Sequence, residues 1–225
     1  MSVSAIIVAA GSSRRMGFDK LAADLAGKSV RERSIEAFEV CSEIDEIVVV
    51  TSAEISSHFQ KLTRVVEGGA ERHFSVWNGI QAIDPNAEYI AVHDGARPLV
   101  TPEAIAKCLT EAKKSGAATL AHPISDTLKR SDSDGHAVVE SVSRDLLWAM
   151  ETPQIFRADL LRAAYEKILE QGELVTDEVS AVQALGTEVL LVKNPEPNLK
   201  ITFPADLKLA EAILAARHDQ TVSDR

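Results

Sequence analysis

Short apolar runs alternate with amphipathic stretches along most of the chain. Val3–Ala9 (VSAIIVA) is apolar and β-branched with no polar alternation, which predicts a strand buried on both faces. Similar runs recur at Glu46–Thr51, Arg64–Glu67, Tyr89–His93, Ala117–His122 and Glu188–Lys193. Between them the apolar residues return at helical spacing. Ser29, with Glu32 three residues on, predicts a capping box. Val30, Ser34, Ala37, Phe38 and Cys41 share one face of the helix it opens. A short helix is expected over Glu54–Gln60 and a longer one over Glu71–Ile83, where Phe74, Trp77, Ile80 and Ile83 form the apolar stripe. Thr101-Pro102-Glu103 reads as N-cap, first-position proline and first-turn acid. Lys113, Lys114 and Gly116 close that helix with cations for the dipole and a C-cap glycine. Ala158–Gln171, Glu178–Leu185 and Ala205–Arg217 complete the helices.

Strands alternating with helices of this length predict an α/β fold, Rossmann-type, with a mainly parallel sheet flanked by helices. Ligands in such folds bind beyond the carboxyl ends of the strands. One segment, Ser125–Ser143, breaks the rhythm: two strand-like arms flank a turn-rich SDSDG with no helix between them. It predicts a protruding β-hairpin arm. No repeat or long linker divides the chain, so residues 1–225 are read as a single domain with 125–143 as a β-arm subregion.

Composition narrows the partners. With 24 Lys+Arg against 34 Asp+Glu, the formal net charge is −10, which argues against broad nucleic-acid binding. Aromatic residues make up 4%, too few for a base-stacking platform. A small basic pocket within an acidic chain stays compatible with this balance. No window approaches a membrane span, and the N-terminus lacks the order of a signal peptide. Cys41 and Cys108 are read as buried thiols, and the expected location is cytoplasmic.

The candidate chemistry sits in four stretches. Ala10-Gly11-Ser12-Ser13-Arg14-Arg15-Met16-Gly17 follows the first strand, and Lys20 comes three residues later. Small residues allow close backbone approach, successive amides make an anion nest, and Arg15 and Lys20 can neutralise phosphates. The dinucleotide fingerprint GxGxxG is absent, and Gly27-Lys28-Ser29 lacks the earlier glycine of a P-loop, which is Ala22 here. His93-Asp94-Gly95-Ala96-Arg97-Pro98 follows the strand YIAV, where Asp94 suits Mg²⁺ beside a phosphate. A capped turn with a structural Asp–Arg pair is the plainer alternative. Gly68-Gly69 with Ser75 permits tight approach to a base or sugar. Lys200, within Asn198–Thr202, is costly to bury unpaired and so is expected to point into the cleft. No GxSxG elbow, zinc-ligand spacing or activated cysteine supports another chemistry.

Together the stretches VAAGSSRRM, GGAERHFSV, VHDGARP, ISDTLKR, VSRDLLWAMETPQIF, VTDEVSA and NLKIT, in this order from about Ser4 to Leu214, resemble the 2-C-methyl-D-erythritol 4-phosphate cytidylyltransferase family of non-mevalonate isoprenoid synthesis. The resemblance implies a nucleotidyltransferase-like fold, CTP and a polyol phosphate as substrates, Mg²⁺ as cofactor and a homodimer. It implies that Ala10, Gly11, Gly69 and Ser75 contact the nucleoside, that Arg15, Lys20 and Lys200 are catalytic, and that Asp94 binds the metal. Arg97 and Thr152 would line the substrate site, and Thr127 and Arg144, on or beside the arm, would reach sugar phosphate bound in the neighbouring subunit. Ser13, Asp19 and Ala70 depart from the family's usual residues. Competing readings are a ribitol 5-phosphate cytidylyltransferase, a sugar-1-phosphate nucleotidyltransferase using another base, and a non-catalytic nucleotide-binding module.

Overall fold

The structure, a computed structural model, describes residues 1–11, 17–56 and 58–223. Eleven strands and six helices follow in the order β1 (Val3–Val8), β2 (Asp24–Leu25), β3 (Lys28–Ser29), α1 (Val30–Glu39), β4 (Glu46–Val50), β5 (Leu62–Val66), α2 (Arg72–Ala82), β6 (Tyr89–Asp94), α3 (Pro102–Ser115), β7 (Ala117–Pro123), β8 (Leu128–Ser131), β9 (Val138–Val142), β10 (Trp148–Arg157), α4 (Ala158–Gln171), α5 (Glu178–Gln183), β11 (Leu190–Lys193) and α6 (Pro204–Ser223). The central sheet has seven strands in the order β11-β7-β10-β6-β1-β4-β5. All neighbours are parallel except β10, which runs antiparallel to both β6 and β7. β8 and β9 pair only with each other, as the expected arm.

Period-two alternation along β1 feeds two cores. Ala5 and Ile7 face one side with Ile35 and Phe38 of α1 and Ile105, Cys108 and Leu109 of α3. Ile6 faces the other with Val76 and Ile80 of α2 and Leu161, Tyr165 and Ile168 of α4. The predicted caps are in place. Ser29 accepts from the Glu32 amide and completes the capping box, and Thr101 accepts from the Ala104 amide. Gly116 ends α3 at φ 86°, a conformation that favours glycine.

Three local expectations need correction. Over 54–60 the described residues hold no helix. The Gln60 and Lys61 amides donate instead to the Glu39 carboxylate, so a tertiary contact takes donors that a helix over these residues would have bonded to its own carbonyls. In α2, Phe74 is exposed and the buried residues are His73, Ser75, Val76, Gly79, Ile80 and Ala82. The start of α2 lies close against Gly69, where an added Cβ would come within 2.3 Å of the Phe74 Cβ. Finally, Trp148–Arg157 is a full strand that periodicity did not reveal. Pro153 argues against a central strand, yet a register shift between Met150 and Gln154 takes it out of the ladder.

The chain crosses from β4 and β5 on one side of β1 to β6 on the other, so the topological switch point lies between β1 and β6. The stretches after these two strands carry Ala10, Gly11, Asp94 and Arg97.

Candidate active site

Asp94 ends β6, and Gly95 keeps the following turn tight, its amide bonding the Val8 carbonyl at 2.9 Å. The Asp94 carboxylate is nearly buried and three cations converge on it. Arg72 donates to Oδ1 from Nη2 at 3.0 Å, Lys200 donates to Oδ2 at 2.8 Å, and Arg97 Nε lies 3.8 Å from Oδ2. Burial by itself would raise the Asp94 pKa, but the fields of Arg72, Lys200 and Arg97 overcome it and hold the carboxyl well below the usual range. Asp94 is therefore a fixed anion at the sheet's edge.

Behind it stands a second carboxylate. Glu178, fully buried at the start of α5, takes Nη1 and Nη2 of Arg72 at 2.6 and 3.1 Å and the Tyr165 hydroxyl at 3.0 Å. Burial opposes the charge of Arg72, and the paired Glu178 and Asp94 carboxylates outweigh it and push its pKa up. The guanidinium is thus clamped between two carboxylates on different elements.

Thr152 closes the site from β10. Its hydroxyl accepts the Asp94 amide at 3.0 Å and lies 2.9 Å from His93 Nδ1. His93 Nε2 lies 3.1 Å from the Arg97 carbonyl, which only accepts, so Nε2 carries the proton and Nδ1 accepts from Thr152. The ring is fully buried, and burial pulls its pKa down to about 4 in spite of Asp94. His93 is a neutral relay that orients Thr152.

The 198–201 segment docks across the same edge. Arg97 donates to the Asn198 and Met150 carbonyls at 2.7 and 3.2 Å, and the Ile201 amide bonds the Ala96 carbonyl at 2.8 Å. The Asn198 amide group donates to buried Glu151 and to the Thr152 carbonyl, each at 2.9 Å. Lys20 Nζ donates to the Ile201 carbonyl at 2.8 Å, which ties the first loop to the segment carrying Lys200. Lys200, expected to point into the cleft, bonds Asp94 at the end of β6, with its side chain 40% exposed.

The glycine turn forms the opposite wall. A Cβ on Gly68 would come within 2.3 Å of the Ala10 Cβ, so the two loops meet closely. The Ser75 hydroxyl accepts the Gly69 amide at 3.0 Å and donates to the Glu71 carbonyl at 3.2 Å, which fixes the turn. Gly11 and Ala10 line an adjoining cavity of about 300 Å³.

Lys20, Asp94, Arg97, Thr152 and Lys200 are thus linked through one network, with Ala10, Gly11, Gly69 and Ser75 on the glycine wall. Arg15 lies outside the described residues. Thr127 and Arg144 sit exposed beside the arm, where Arg144 donates to the Ser125 carbonyl. Among the described residues no hydrogen bond or ion pair joins these two to Asp94. Sequence reasoning missed Arg72 and Glu178 as site residues. Both lie in quoted motifs, GGAERHFSV and VTDEVSA, but their pairing across 106 positions has no local signal.

A family model described as 2-C-methyl-D-erythritol 4-phosphate cytidylyltransferase matches residues 3–216. The chain belongs to that family. The 2-C-methyl-D-erythritol 4-phosphate cytidylyltransferase of Caldanaerobacter subterraneus subsp. tengcongensis is 42% identical over 95% of this chain and 99% of its own length. The protein of the same name from Symbiobacterium thermophilum is 41% identical over 94% and 92%. The crystal structure of the Thermus thermophilus cytidylyltransferase superposes with a TM-score of 0.82 at 32% identity, covering 96% of this chain and all of that one. The fold expectation, a mainly parallel nucleotidyltransferase-like sheet flanked by helices, agrees with these structures. Among the described residues no helix is long and apolar enough to cross a membrane.

Proposed function

We propose that this cytidylyltransferase-family chain condenses CTP with 2-C-methyl-D-erythritol 4-phosphate, giving 4-diphosphocytidyl-2-C-methyl-D-erythritol and pyrophosphate. The observation that carries the reading is the Asp94 centre, one fixed carboxylate ringed by Arg72, Lys200 and Arg97 at the switch point of a chain that the family model matches over residues 3–216. A phosphate oxygen of the sugar phosphate attacks the α-phosphorus in line. The bond to the bridging oxygen breaks and its electrons leave on pyrophosphate. Catalysis is then positioning and neutralisation of charge, with no covalent enzyme intermediate.

The roles follow from placement. Lys200, half-exposed and paired with Asp94, exchanges that carboxylate for an α-phosphate oxygen. Lys20 and Arg15 hold the phosphate tail, and Ala10, Gly11 and the turn at Gly69, fixed by Ser75, hold the nucleoside. Arg97 and Thr152 fix the floor on which the substrates lie. Among the described residues no group of three or more His, Cys, Asp or Glu could hold a metal ion. A single ionised carboxylate nevertheless fits Mg²⁺, which takes most of its ligands from water and phosphate. Asp94 would hold the ion, which supplies charge neutralisation on the phosphates. The unpaired, buried thiols of Cys41 and Cys108 fit a cytoplasmic enzyme.

The arm carries the oligomeric part of the proposal. Val138 and Val139 are exposed on β9 and Leu146 is 95% exposed just beyond it. An isolated two-stranded ribbon is marginal in water, so a second copy covering this surface accounts for both. Thr127 and Arg144 then reach sugar phosphate in the partner's site. Pyrophosphate release by the purified chain tests the whole reading, across CTP, UTP and GTP with methylerythritol phosphate or ribitol 5-phosphate. Release is expected with CTP and methylerythritol phosphate. Faster release with ribitol 5-phosphate, or CTP binding without release, overturns it. Arg144→Ala is expected to raise KM for the sugar phosphate about tenfold and to leave KM for CTP unchanged. A monomer by sedimentation that retains full activity refutes the shared site.

A further inference from the structure

Three arginines lie close to the carboxyl edge of the sheet, and they are treated differently. Arg72 is clamped by two carboxylates, and Arg97 caps two carbonyls beside Asp94. Arg31, in the first turn of α1, is only 8% exposed, and its buried Nε has no hydrogen-bond partner. No carboxylate among the described residues lies within ion-pair distance of it. Its sequence neighbour Glu32 feels its field but is committed to the Ser29 cap at 2.7 and 2.9 Å. Arginines are almost never this buried without a partner, because an uncompensated buried charge is costly.

Arg31 is among the residues that line the cavity of about 300 Å³ at the carboxyl ends of β1 and β4. Its companions there include Ala10 and Gly11 from the start of the first loop, Thr51 and Ser52 after β4, and Asp19. The cavity is roomy enough for part of a small ligand. Asp19 is the one anion on the wall, and its Oδ1 is taken by the Leu21 amide at 3.0 Å. Thr51 Oγ1 accepts the Ala53 amide at 3.2 Å, which leaves its hydroxyl proton able to donate to a ligand. A buried cation that no carboxylate among the described residues pairs with, beside hydroxyl donors, has the chemistry of a phosphate subsite.

We propose that Arg31 takes the terminal phosphates of the nucleoside triphosphate, as an addition to the cations that the family resemblance implies. This rests on the proposed use of CTP and deepens it: a buried cation that no carboxylate among the described residues pairs with is costly, and the triphosphate tail relieves that cost.

The test compares wild type with Arg31→Leu and Arg31→Lys, using sodium pyrophosphate and inorganic phosphate as probes. Without ligand, Arg31→Leu is expected to melt at or above the wild-type temperature, because the unpaired charge is gone. Pyrophosphate is expected to raise the wild-type midpoint, and this rise falls by half or more in Arg31→Leu and is largely kept in Arg31→Lys. In turnover, Arg31→Leu is expected to raise KM for CTP about tenfold and to leave KM for the sugar phosphate unchanged. A lower midpoint for Arg31→Leu with unchanged KM for CTP marks a structural residue and overturns the proposal. So does equal stabilisation of wild type and Arg31→Leu by pyrophosphate. If inorganic phosphate stabilises the wild type through Arg31 without competing with CTP, the site belongs to free phosphate and the assignment to the nucleotide tail falls. The melting arm needs no turnover, so a chain that fails to release pyrophosphate from CTP overturns the proposed function while Arg31 is still tested.

Discussion

The Asp94 centre and the β8–β9 arm are both dense in charge, yet they are built in opposite ways. Around Asp94 the charges come from β6, α2, α5 and the 198–201 segment, and Glu178 and Asp94 are almost wholly buried. Each ion there is held by partners from other elements. On the arm, Arg130 pairs with Glu140 at 2.8 Å and Lys129 bonds Ser141 at 2.6 Å, all from directly opposed strands and all exposed. The centre is preorganised by the fold that surrounds it. The arm holds only itself, and its valines wait for something to cover them. The same residue types thus give a rigid electrostatic site in one place and a solvated ribbon in the other, because burial sets the effective dielectric.

The largest effect is expected where that contrast is sharpest. Glu178→Ala leaves Arg72 with half its clamp, and losing one partner of a buried pair should cost about 3–5 kcal/mol in urea unfolding. Glu178→Gln, which keeps the shape and an acceptor for Tyr165, should retain more stability while turnover still falls. Equal stability of Glu178→Ala and wild type would make the centre no more cohesive than the arm. Next comes Lys200→Ala, which should fold normally and lose on the order of 10²–10³ in kcat, read by pyrophosphate release. Wild-type turnover in that variant removes Lys200 from the reaction.

His93 sharpens the comparison through pH. The unfolded chain protonates this ring near its ordinary value of about 6.5, whereas the folded ring stays neutral down to about 4. Unfolding therefore takes up a proton between those values, and stability should fall as pH drops through that window, by up to about 3 kcal/mol. His93→Gln should flatten that part of the profile in a series of thermal or urea melts, and an unchanged slope contradicts the neutral relay. The smallest effect belongs to the arm: Arg130→Ala should change stability by less than about 1 kcal/mol, because its ion pair is solvated. A larger loss in a concentration-dependent melt would place that pair inside an interface.

Much of the frame was legible in the residues. The Ser29–Glu32 box, the Thr101 cap, the Gly116 stop and the continuous apolar strands lie within a few positions of the structure they specify. The arm was legible too, because SDSDG between two polar ribbons is a local turn signal. Of the site, Asp94 and Lys200 could be singled out by their positions after or within apolar runs. Phe74 was misread because its spacing suits a buried stripe, whereas the face of α2 that packs inward carries His73, Ser75, Val76, Gly79, Ile80 and Ala82. β10 was missed because Pro153 speaks against a central strand when the register shift is unknown.

By itself the sequence determined the alternation of strands and helices, their caps, the hairpin arm and the order of its motifs, since periodicity, capping and turn chemistry act over a few residues. Tertiary structure alone decided that Asp94 meets Lys200 and that Arg72 meets Glu178, pairs each 106 positions apart. It also decided that β10 inserts antiparallel between β6 and β7 to deliver Thr152, and that the buried Arg31 Nε has no hydrogen-bond partner among the described residues. The physical reason is common to all of these. A charge finds its partner, or is left without one, only when separate elements pack and exclude water, and no short-range signal in the chain records which elements will meet.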